Sequence, residues 1–390
     1  MRILYSHRTR SSDGQAVHIR SLTEALARRG HDLAIVGPDE ASPGERPLDA
    51  AAGEGGLREL LPAPVYELAE IAYSAPAYLK LAARSKAFAP NVLYERYNLF
   101  FHAGVRLARQ SGLPFLLEVN APLAEERARH GKLALKSLAR ASEASIWRAA
   151  DRVLPVTRAL GAYVEAAGVD PARIEVIPNG VEAAFLKEHD PRPVRARYGL
   201  DGKIVLGFTG FVRDWHGLDR IVAYLGERRR SDLAFLIVGD GDTRARLETQ
   251  AAALGVRESV IFTGVVQRED VPAHLAAFDV ALQPAVTAYA SPLKLFEYMA
   301  AAKAIIAPDA PNIREVIGDD ADAVLLREGD DAALFGALDA LVADKARRQD
   351  LGGAARRTLL RRGFTWDANA GRVEALAHGL LKKPRRQSAM

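Results

Sequence analysis

The segment ASPLKLFEYMA, residues 290–300, carries a lysine and a glutamate at the start of an otherwise apolar helix. We predict Ser291 as the N-cap and Pro292 as the first helical residue, because serine accepts hydrogen bonds from free N–H groups and proline lacks one. Lys294 then lies in the first turn, and Glu297 shares its face three residues later. Since a helix N-terminus attracts anions, the segment predicts a nucleotide site, with phosphates at the helix start and ribose hydroxyls at the carboxylate. The alternative is an ordinary surface pair between Lys294 and Glu297.

Strand-like runs alternate with helical patterns on both sides of this segment. The first half contains RILYS, DLAIVG, NVLYERY, PFLLEVN and RVLPVT, and the second half contains KIVLGFTG, LAFLIVGDG, VIFTGVV, DVALQPA, AIIAPD and AVLLRE. Nearly continuous apolar strands separated by helices indicate α/β architecture, with parallel sheets covered on both faces. Such sheets bind ligands at the carboxyl ends of their strands, so we expect the site in the loops that follow them.

The alternation restarts in the middle of the chain. The turn signal PNG at 178–180 is followed by the polar segment KEHDPRPVRARYGLDG, and a new strand begins at Lys203. We therefore predict two Rossmann-like domains, over residues 1–185 and 186–365, with their parallel sheets facing across a cleft. An amphipathic helix over about residues 366–383 follows the last sheet element.

Composition excludes several classes of protein. The 390 residues include no cysteine, which rules out disulfides and thiolate chemistry and fits a reducing, cytoplasmic setting. A net charge of +4 gives little reason to expect nucleic acid. No apolar run approaches the roughly 20 residues that span a bilayer. Basic residues in the segment 124–152 and the tail LLKKPRRQSAM leave peripheral membrane contact open beside a solvated surface.

Several segments together resemble one enzyme family. SPLKLFEYMA after a DVALQP strand resembles the donor-binding segment of the family-four retaining glycosyltransferases of GT-B fold. DGQAVHIRSLTEALARRGHDLAIVG, VIPNGVE, FLIVGDG, VIFTGVV and FTWDANA resemble further family segments in the expected order. The resemblance implies transfer of a sugar from a nucleotide-diphosphate sugar to a glycan, lipid or small-molecule acceptor, with retention at the anomeric carbon. It also implies that the last helix packs back on the N-terminal domain.

The resemblance assigns roles to the segment that opened this section. Glu297 matches the second glutamate of the family's E-x7-E motif, which binds ribose hydroxyls, and Tyr289 stands where the first glutamate is expected. Lys294 and the backbone N–H groups near Leu293 would contact the diphosphate. We also predict Ser291 and Pro292 as donor-binding residues.

A second donor segment is TGFVRDWHG, residues 209–217. Phe211 stands where the family commonly has arginine, and His216 where it has lysine. We expect Arg213 to replace the lost charge and His216 to donate a hydrogen bond to phosphate, with Gly210 among the donor contacts. The alternative is a solvated Arg213 and a His216 that only packs the loop.

In the N-terminal domain, Gly14 follows the first strand, where the missing Cβ lets backbone approach a ligand. His18 is expected to be structural. In relatives a histidine near residue 120 approaches the donor sugar, whereas Asn120 here can bind a hydroxyl but cannot act as a base.

Three further polar residues of this domain lie at strand ends. Glu118, Glu95 and Arg96 are candidates for acceptor binding, and an internal Glu–Arg pair is the alternative for the last two.

The family's usual mechanism needs no enzymatic nucleophile, since the departing phosphate oxygen takes the acceptor's proton. The protein supplies charge stabilisation, which falls to Lys294, Arg213 and the helix N-terminus, with Asn120 beside the sugar. We predict no metal and no cofactor, and interpret GDGD at 239–242 as a turn in which Asp242 caps the next helix. Three alternatives stay open: a sugar-nucleotide epimerase, a binding protein without turnover and, in the absence of G-x-G-x-x-G after the first strand, a less favoured dinucleotide oxidoreductase.

Overall fold

The computed structural model describes residues 1–9, 14–38, 61–131 and 133–382. The chain divides into two compact units, Met1–Pro178 with Asp367–Met390 and Asn179–Trp366. The sequence placed this division at 185/186. It lies earlier because Val181 forms a bridge with Thr365 and donates its N–H to the Phe364 carbonyl, 3.2 Å away, within the second unit.

The first unit is a five-stranded parallel sheet with strand order β2-β1-β3-β4-β5. Its strands are β1 (Arg2–Ser6), β2 (Asp32–Val36), β3 (Val92–Arg96), β4 (Phe115–Val119) and β5 (Arg152–Pro155). Its helices are α1 (Gly14–Arg28), α2 (Ala63–Ala72), α3 (Ser74–Phe88), α4 (Ala103–Ser111), α5 (Leu123–Arg129), α6 (Lys136–Ala149) and α7 (Arg158–Ala166).

The second unit is a six-stranded parallel sheet with strand order β11-β10-β9-β6-β7-β8. Its strands are β6 (Ile204–Thr209), β7 (Leu233–Val238), β8 (Val260–Phe262), β9 (Val280–Leu282), β10 (Ala304–Pro308) and β11 (Val324–Leu326). Its helices are α8 (Arg192–Arg197), α9 (Asp219–Arg228), α10 (Arg244–Ala253), α11 (Val271–Ala276), α12 (Leu293–Ala300), α13 (Pro311–Arg314), α14 (Asp331–Ala343) and α15 (Lys345–Arg362). The prediction of two Rossmann-like parallel sheets is confirmed.

Both sheets are cores buried on two faces. Every residue of β7 is buried, as expected for an apolar strand inside a parallel sheet. In β6, a Cβ on Gly207 would come within 2.2 Å of the Phe278 ring, so only glycine leaves room for that side chain. The strand pattern read from the sequence therefore reflects burial directly.

The last helix, α16 (Trp366–Leu381), belongs to the first unit from Asp367 onward. It is held by an ion pair between Arg29 and Glu374, with 2.6 Å between Nη2 and Oε2. Buried Asn369 also donates to the Pro178 carbonyl over 2.7 Å. The helix therefore contacts the N-terminal unit, while residues 383–390 of the predicted basic tail lie outside the described residues.

The strand orders locate the ligand-binding edge of each sheet. Strand order reverses between β1 and β3 in the first unit and between β6 and β9 in the second. Open parallel sheets bind ligands beyond the carboxyl ends of the strands at such a reversal. The loops after β6 and β9 contain TGFVRDWHG and the approach to α12, so topology places both predicted donor segments at one edge.

Candidate active site

Lys294 and His216 meet at the strand reversal of the second unit. The Lys294 Nζ lies 3.4 Å from His216 Nε2 and 3.9 Å from the centre of the Phe208 ring. Gly210 lies beside this lysine, since a Cβ there would be in ordinary contact with Nζ at 3.4 Å, and its φ of +116° favours glycine. Burial lowers the pKa of Lys294 to about 7, against the opposing effect of Glu297.

His216 faces Lys294 as a hydrogen-bond donor. Its Nδ1 lies 3.1 Å from the backbone N–H of Arg213, which can only donate, so the neutral ring carries its proton on Nε2. Burial, together with Lys294 and Arg213, lowers the pKa of His216 to about 2, which keeps the ring neutral. With lysine protonated, two donors point at each other, and an anion that accepts from both would relieve this.

Arg213 contributes its backbone to this arrangement. Its side chain is exposed, with Cζ 4.8 Å from the centre of the Phe211 ring. The predicted contact of its guanidinium with phosphate stays a prediction. His216 is buried against Trp215 and Phe208, so it packs the loop and faces Lys294 at once.

Glu297 is held by an arginine that the sequence analysis missed. Arg268 bonds Glu297 through Nη1 and Oε1, 2.6 Å apart, and bonds both oxygens of Glu182 at 3.1 and 2.6 Å. Burial raises the pKa of Glu297 in spite of Arg268. Because Glu297 is 4% exposed and paired with Arg268, the alternative of a surface pair with Lys294 is wrong. The sequence could have indicated Arg268 by its position, because it is a charged residue in the loop after β8, at the carboxyl edge of the same sheet.

The predicted N-cap of α12 is wrong. The helix begins at Leu293, Pro292 precedes it, and no side chain caps it. Ser291 is engaged elsewhere: its Oγ accepts from the N–H of Asn179 over 3.1 Å, and its carbonyl accepts from Asn179 Nδ2 over 2.6 Å. Asn179, which we interpreted only as a turn residue, thus holds the chain that enters the helix.

Asn312 holds the same loop from the other side. Its Nδ2 donates to the carbonyls of Thr287 and Ala290 at 3.1 and 2.7 Å. Tyr289, at the position of the family's first glutamate, is 8% exposed. The loop before α12 is therefore fixed by buried amides, which places the backbone N–H groups of the first turn.

The GDGD turn has a structural role. Gly239 has φ +143° and approaches Gly210 so closely that a Cβ would meet its carbonyl oxygen at 2.1 Å. The expected capping by Asp242 is wrong, since Thr243 precedes α10 and gives no side-chain cap. Within the described ranges, no three His, Asp or Glu side chains form a group that could hold a metal ion.

In the first unit, Glu118 is the centre of a buried polar network. It accepts hydrogen bonds from Tyr94 and Asn120 and pairs with Arg96 and His18, over distances of 2.5 to 2.9 Å. Burial would raise the pKa of Glu118, but His18 and Arg96 outweigh it and hold that pKa below its usual range. Asn120 is the partly exposed member, so it can offer its amide to a ligand.

Glu95 lies apart from this network. Its Oε2 accepts from Ser6 over 3.0 Å, and it faces Gly104, where a Cβ would come within 2.3 Å. Burial raises its pKa to about 8. The pair Glu95–Arg96 does not form, because Arg96 turns to Glu118. Acceptor binding by these three buried residues stays a prediction.

The remaining predictions for this unit concern its surface. Gly14 is the exposed first residue of α1, and residues 10–13 before it lie outside the described part. Two basic side chains of the segment 124–152 are paired, Arg127 with Glu70 and Arg129 with Glu125, which favours the solvated face. Across the described residues, no helix is long and apolar enough to cross a bilayer.

Similarity to known proteins covers both units. The model of the family described as Glycosyltransferase Family 4 matches residues 12–185, and that described as Glycosyl transferases group 1 matches residues 193–358. A GDP-mannose-dependent alpha-mannosyltransferase of Mycolicibacterium smegmatis is 26% identical, over 93% of this chain and 94% of that protein. A D-inositol 3-phosphate glycosyltransferase of Xylanimonas cellulosilytica is 28% identical, over 97% and 94%.

A solved structure shows the same fold. HepE of Anabaena, crystallised with UDP, superposes with a TM-score of 0.75 at 14% identity, over 97% of this chain and 100% of that one. The chain has the GT-B fold, with two Rossmann-like units that are each built on a parallel sheet. The chain belongs to the glycosyltransferases of the family-four, or glycosyl transferases group 1, type.

Proposed function

We propose that the protein is a retaining glycosyltransferase that uses a nucleotide-diphosphate sugar and needs no metal ion. The proposal rests on one observation: Lys294 Nζ, in the first turn of α12, lies 3.4 Å from His216 Nε2 at the strand reversal. These two nitrogens can both donate hydrogen bonds, so a diphosphate oxygen that accepts from both suits the site. Relatives named for GDP-mannose and a fold neighbour crystallised with UDP support this donor class.

Glu297 completes the proposed donor site. Arg268 is shared between Glu182 and Glu297, so by formal charge the three groups sum to −1. A carboxylate in this state accepts hydrogen bonds from a vicinal diol such as ribose. The distance along the helix from Lys294 to Glu297 is about 4.5 Å at 1.5 Å per residue, which fits adjacent phosphate and ribose.

In the proposed reaction the bond between the anomeric carbon and the diphosphate oxygen breaks, and the acceptor hydroxyl forms its bond on the same face. The acceptor's proton passes to the departing phosphate oxygen. Lys294 and His216 stabilise the negative charge that grows on this oxygen, which lowers the barrier more than it strengthens ground-state binding. Asn120 of the first unit is the proposed contact to a sugar hydroxyl.

A panel of UDP-, GDP- and ADP-sugars tests this proposal. The matching donor should stabilise the protein in a thermal-shift assay and be hydrolysed slowly, or transferred when an acceptor is added. Lys294→Ala should reduce turnover more than affinity, whereas Lys345→Ala, at the exposed start of α15, should not. Turnover that survives Lys294→Ala would contradict the assigned role. An epimerised nucleotide sugar from donor alone would indicate the epimerase instead, and NMR of the product gives its anomeric configuration.

We also propose a cytoplasmic enzyme that acts in glycan, glycolipid or glycosylated-metabolite biosynthesis. The relatives named for mannosyl and inositol-phosphate transfer support this range of acceptors. Co-sedimentation with anionic vesicles tests peripheral membrane contact directly.

A further inference from the structure

Arg8 is a half-buried cation. It follows β1 by two residues, at the carboxyl edge of the first unit's sheet. Its Nη1 is buried and has no hydrogen-bond partner among the described residues. Its Cζ lies 4.6 Å from the centre of the Tyr73 ring and 5.5 Å from that of Phe101. Aromatic faces attract a guanidinium but cannot accept its N–H groups in place of water.

The surrounding charges do not neutralise Arg8. The carboxylate that acts on it is Glu70, which is already bonded through both oxygens to Arg127 at 2.6 and 3.1 Å. Two guanidinium groups therefore share one carboxylate. Burial accordingly lowers the pKa of Arg8, with Glu70 opposing the shift.

Two arginines that are buried among the described residues, Arg96 and Arg348, do have acceptors. Arg96 bonds the carboxylate of Glu118, and Arg348 donates to two backbone carbonyls. A buried donor of a charged group is costly when it has no acceptor, so Nη1 of Arg8 differs from the guanidinium groups of Arg96 and Arg348. The difference occurs at the strand reversal of the sheet, where ligands bind.

We propose that Arg8 binds an acidic group, a phosphate or a carboxylate, on the glycosyl acceptor. A guanidinium presents two parallel donors that match two oxygens of either group. The assignment of this anion to the acceptor rests on the proposed transferase function. The anion site itself rests only on the geometry around Arg8.

Titration with inorganic phosphate and with acetate, at constant ionic strength, tests the anion site. The experiment uses the full chain carrying Lys294→Met, which removes the other candidate anion site. We expect Arg8→Met to weaken association of at least one of these anions at least tenfold. The matched control is Arg106→Met, since Arg106 is exposed and also lies over a tyrosine, 4.3 Å from the Tyr78 ring centre. Unchanged binding of both anions in Arg8→Met overturns the proposal.

Thermal unfolding separates this role from a structural one. Without added anion, Arg8→Met should unfold at a higher temperature than the parent, because it removes a charged group whose buried Nη1 has no acceptor among the described residues. A purely structural arginine would give a lower temperature and no loss of anion binding, which contradicts the proposal. If Arg8→Met does not fold, Arg8→Lys takes its place: it keeps the charge but loses the planar pair of donors, and should still bind anions more weakly.

Matched acceptors test the link to transfer. The assay measures release of nucleoside diphosphate. One comparison sets polyols and sugars against their phosphate esters and uronic acids. A second comparison sets soluble phosphate esters against vesicles of phosphatidylinositol. The wild type should favour the acidic member of at least one pair, and Arg8→Met should lower this preference at least tenfold while donor hydrolysis is unchanged. A preference that survives in Arg8→Met refutes the acceptor role. Absence of turnover with every donor would refute the transferase function, whereas the phosphate titration would still decide the anion site.

Discussion

Nucleotide binding should be coupled to protonation of Lys294. Its pKa is about 7 in the free protein because burial disfavours the ammonium. A diphosphate beside the ammonium would return the pKa toward its ordinary value of 10.5. The ligand therefore binds the protonated form, and affinity should fall as pH rises above 7.

The magnitude follows from these two pKa values. Between pH 7.5 and 9.5 the association constant should decrease about 70-fold, which corresponds to about 2.5 kcal/mol. The second ionisation of a phosphate lies near pH 6, so the charge on the diphosphate itself is constant over this range. His216, whose pKa is lowered to about 2, stays neutral throughout. Lys294 is thus the group of this site whose protonation should set the dependence, and Lys294→Met separates it from groups elsewhere.

Isothermal titration calorimetry with UDP or GDP measures this effect. At pH 8.5, binding in two buffers of different ionisation enthalpy should report uptake of about one proton. Lys294→Met should give weak binding with a flat pH profile, and Lys345→Met should keep the wild-type profile. The reasoning fails if wild-type affinity is constant from pH 7.5 to 9.5, or if the slope survives in Lys294→Met.

Three further predictions concern other groups. Arg268→Met leaves Glu297 and Glu182 without their cation, so it should lower the free energy of unfolding by about 3–5 kcal/mol and weaken nucleotide binding. Urea denaturation measures the first effect and calorimetry the second, and unaltered values would contradict the role of Arg268. Because the pKa of Glu95 is about 8 in the fold and 4.5 ordinarily, its contribution to stability should fall as pH rises between these values, and Glu95→Gln should flatten that slope in denaturation curves at pH 5 and pH 8. Transfer should persist at an undiminished rate in excess EDTA, since Lys294 and His216 supply the charge stabilisation; loss of activity that Mg²⁺ restores would refute metal independence.

The sequence was most informative where burial imposes a pattern. Apolar strands such as LAFLIV and the alternation with helices predict two parallel sheets, because strands covered on both faces have few polar positions. The same pattern places the loops after β6 and β9 at ligand-binding edges. Lys294 and His216 were therefore found from their positions at strand ends and from family resemblance.

Contacts between distant segments could not be predicted in this way. Arg268 reaches Glu182 and Glu297 across 86 and 29 positions of the chain, and no local pattern encodes that choice. Ser291 is a good capping residue by type, yet Asn179 from 112 positions away bonds it instead. Likewise Arg96 could pair with its neighbour Glu95 or with Glu118, and only the register of β3 against β4, which aligns Arg96 with Glu118, decides between them.

The charges of the second unit explain why the donor site would combine a neutral histidine with a titratable lysine. By formal charge Glu182, Arg268 and Glu297 sum to −1, which a protonated Lys294 balances and a neutral Lys294 does not. A second permanent cation at the position of His216 would be repelled by Lys294 before the nucleotide arrived, since both lie within 3.4 Å. A neutral imidazole gives the second donor without that repulsion, and the proton on Lys294 then arrives with the diphosphate. His216→Lys should therefore lower the affinity for UDP or GDP above pH 8 instead of restoring the family's usual lysine contact, and stronger binding by this variant would show that the two positions tolerate simultaneous charge.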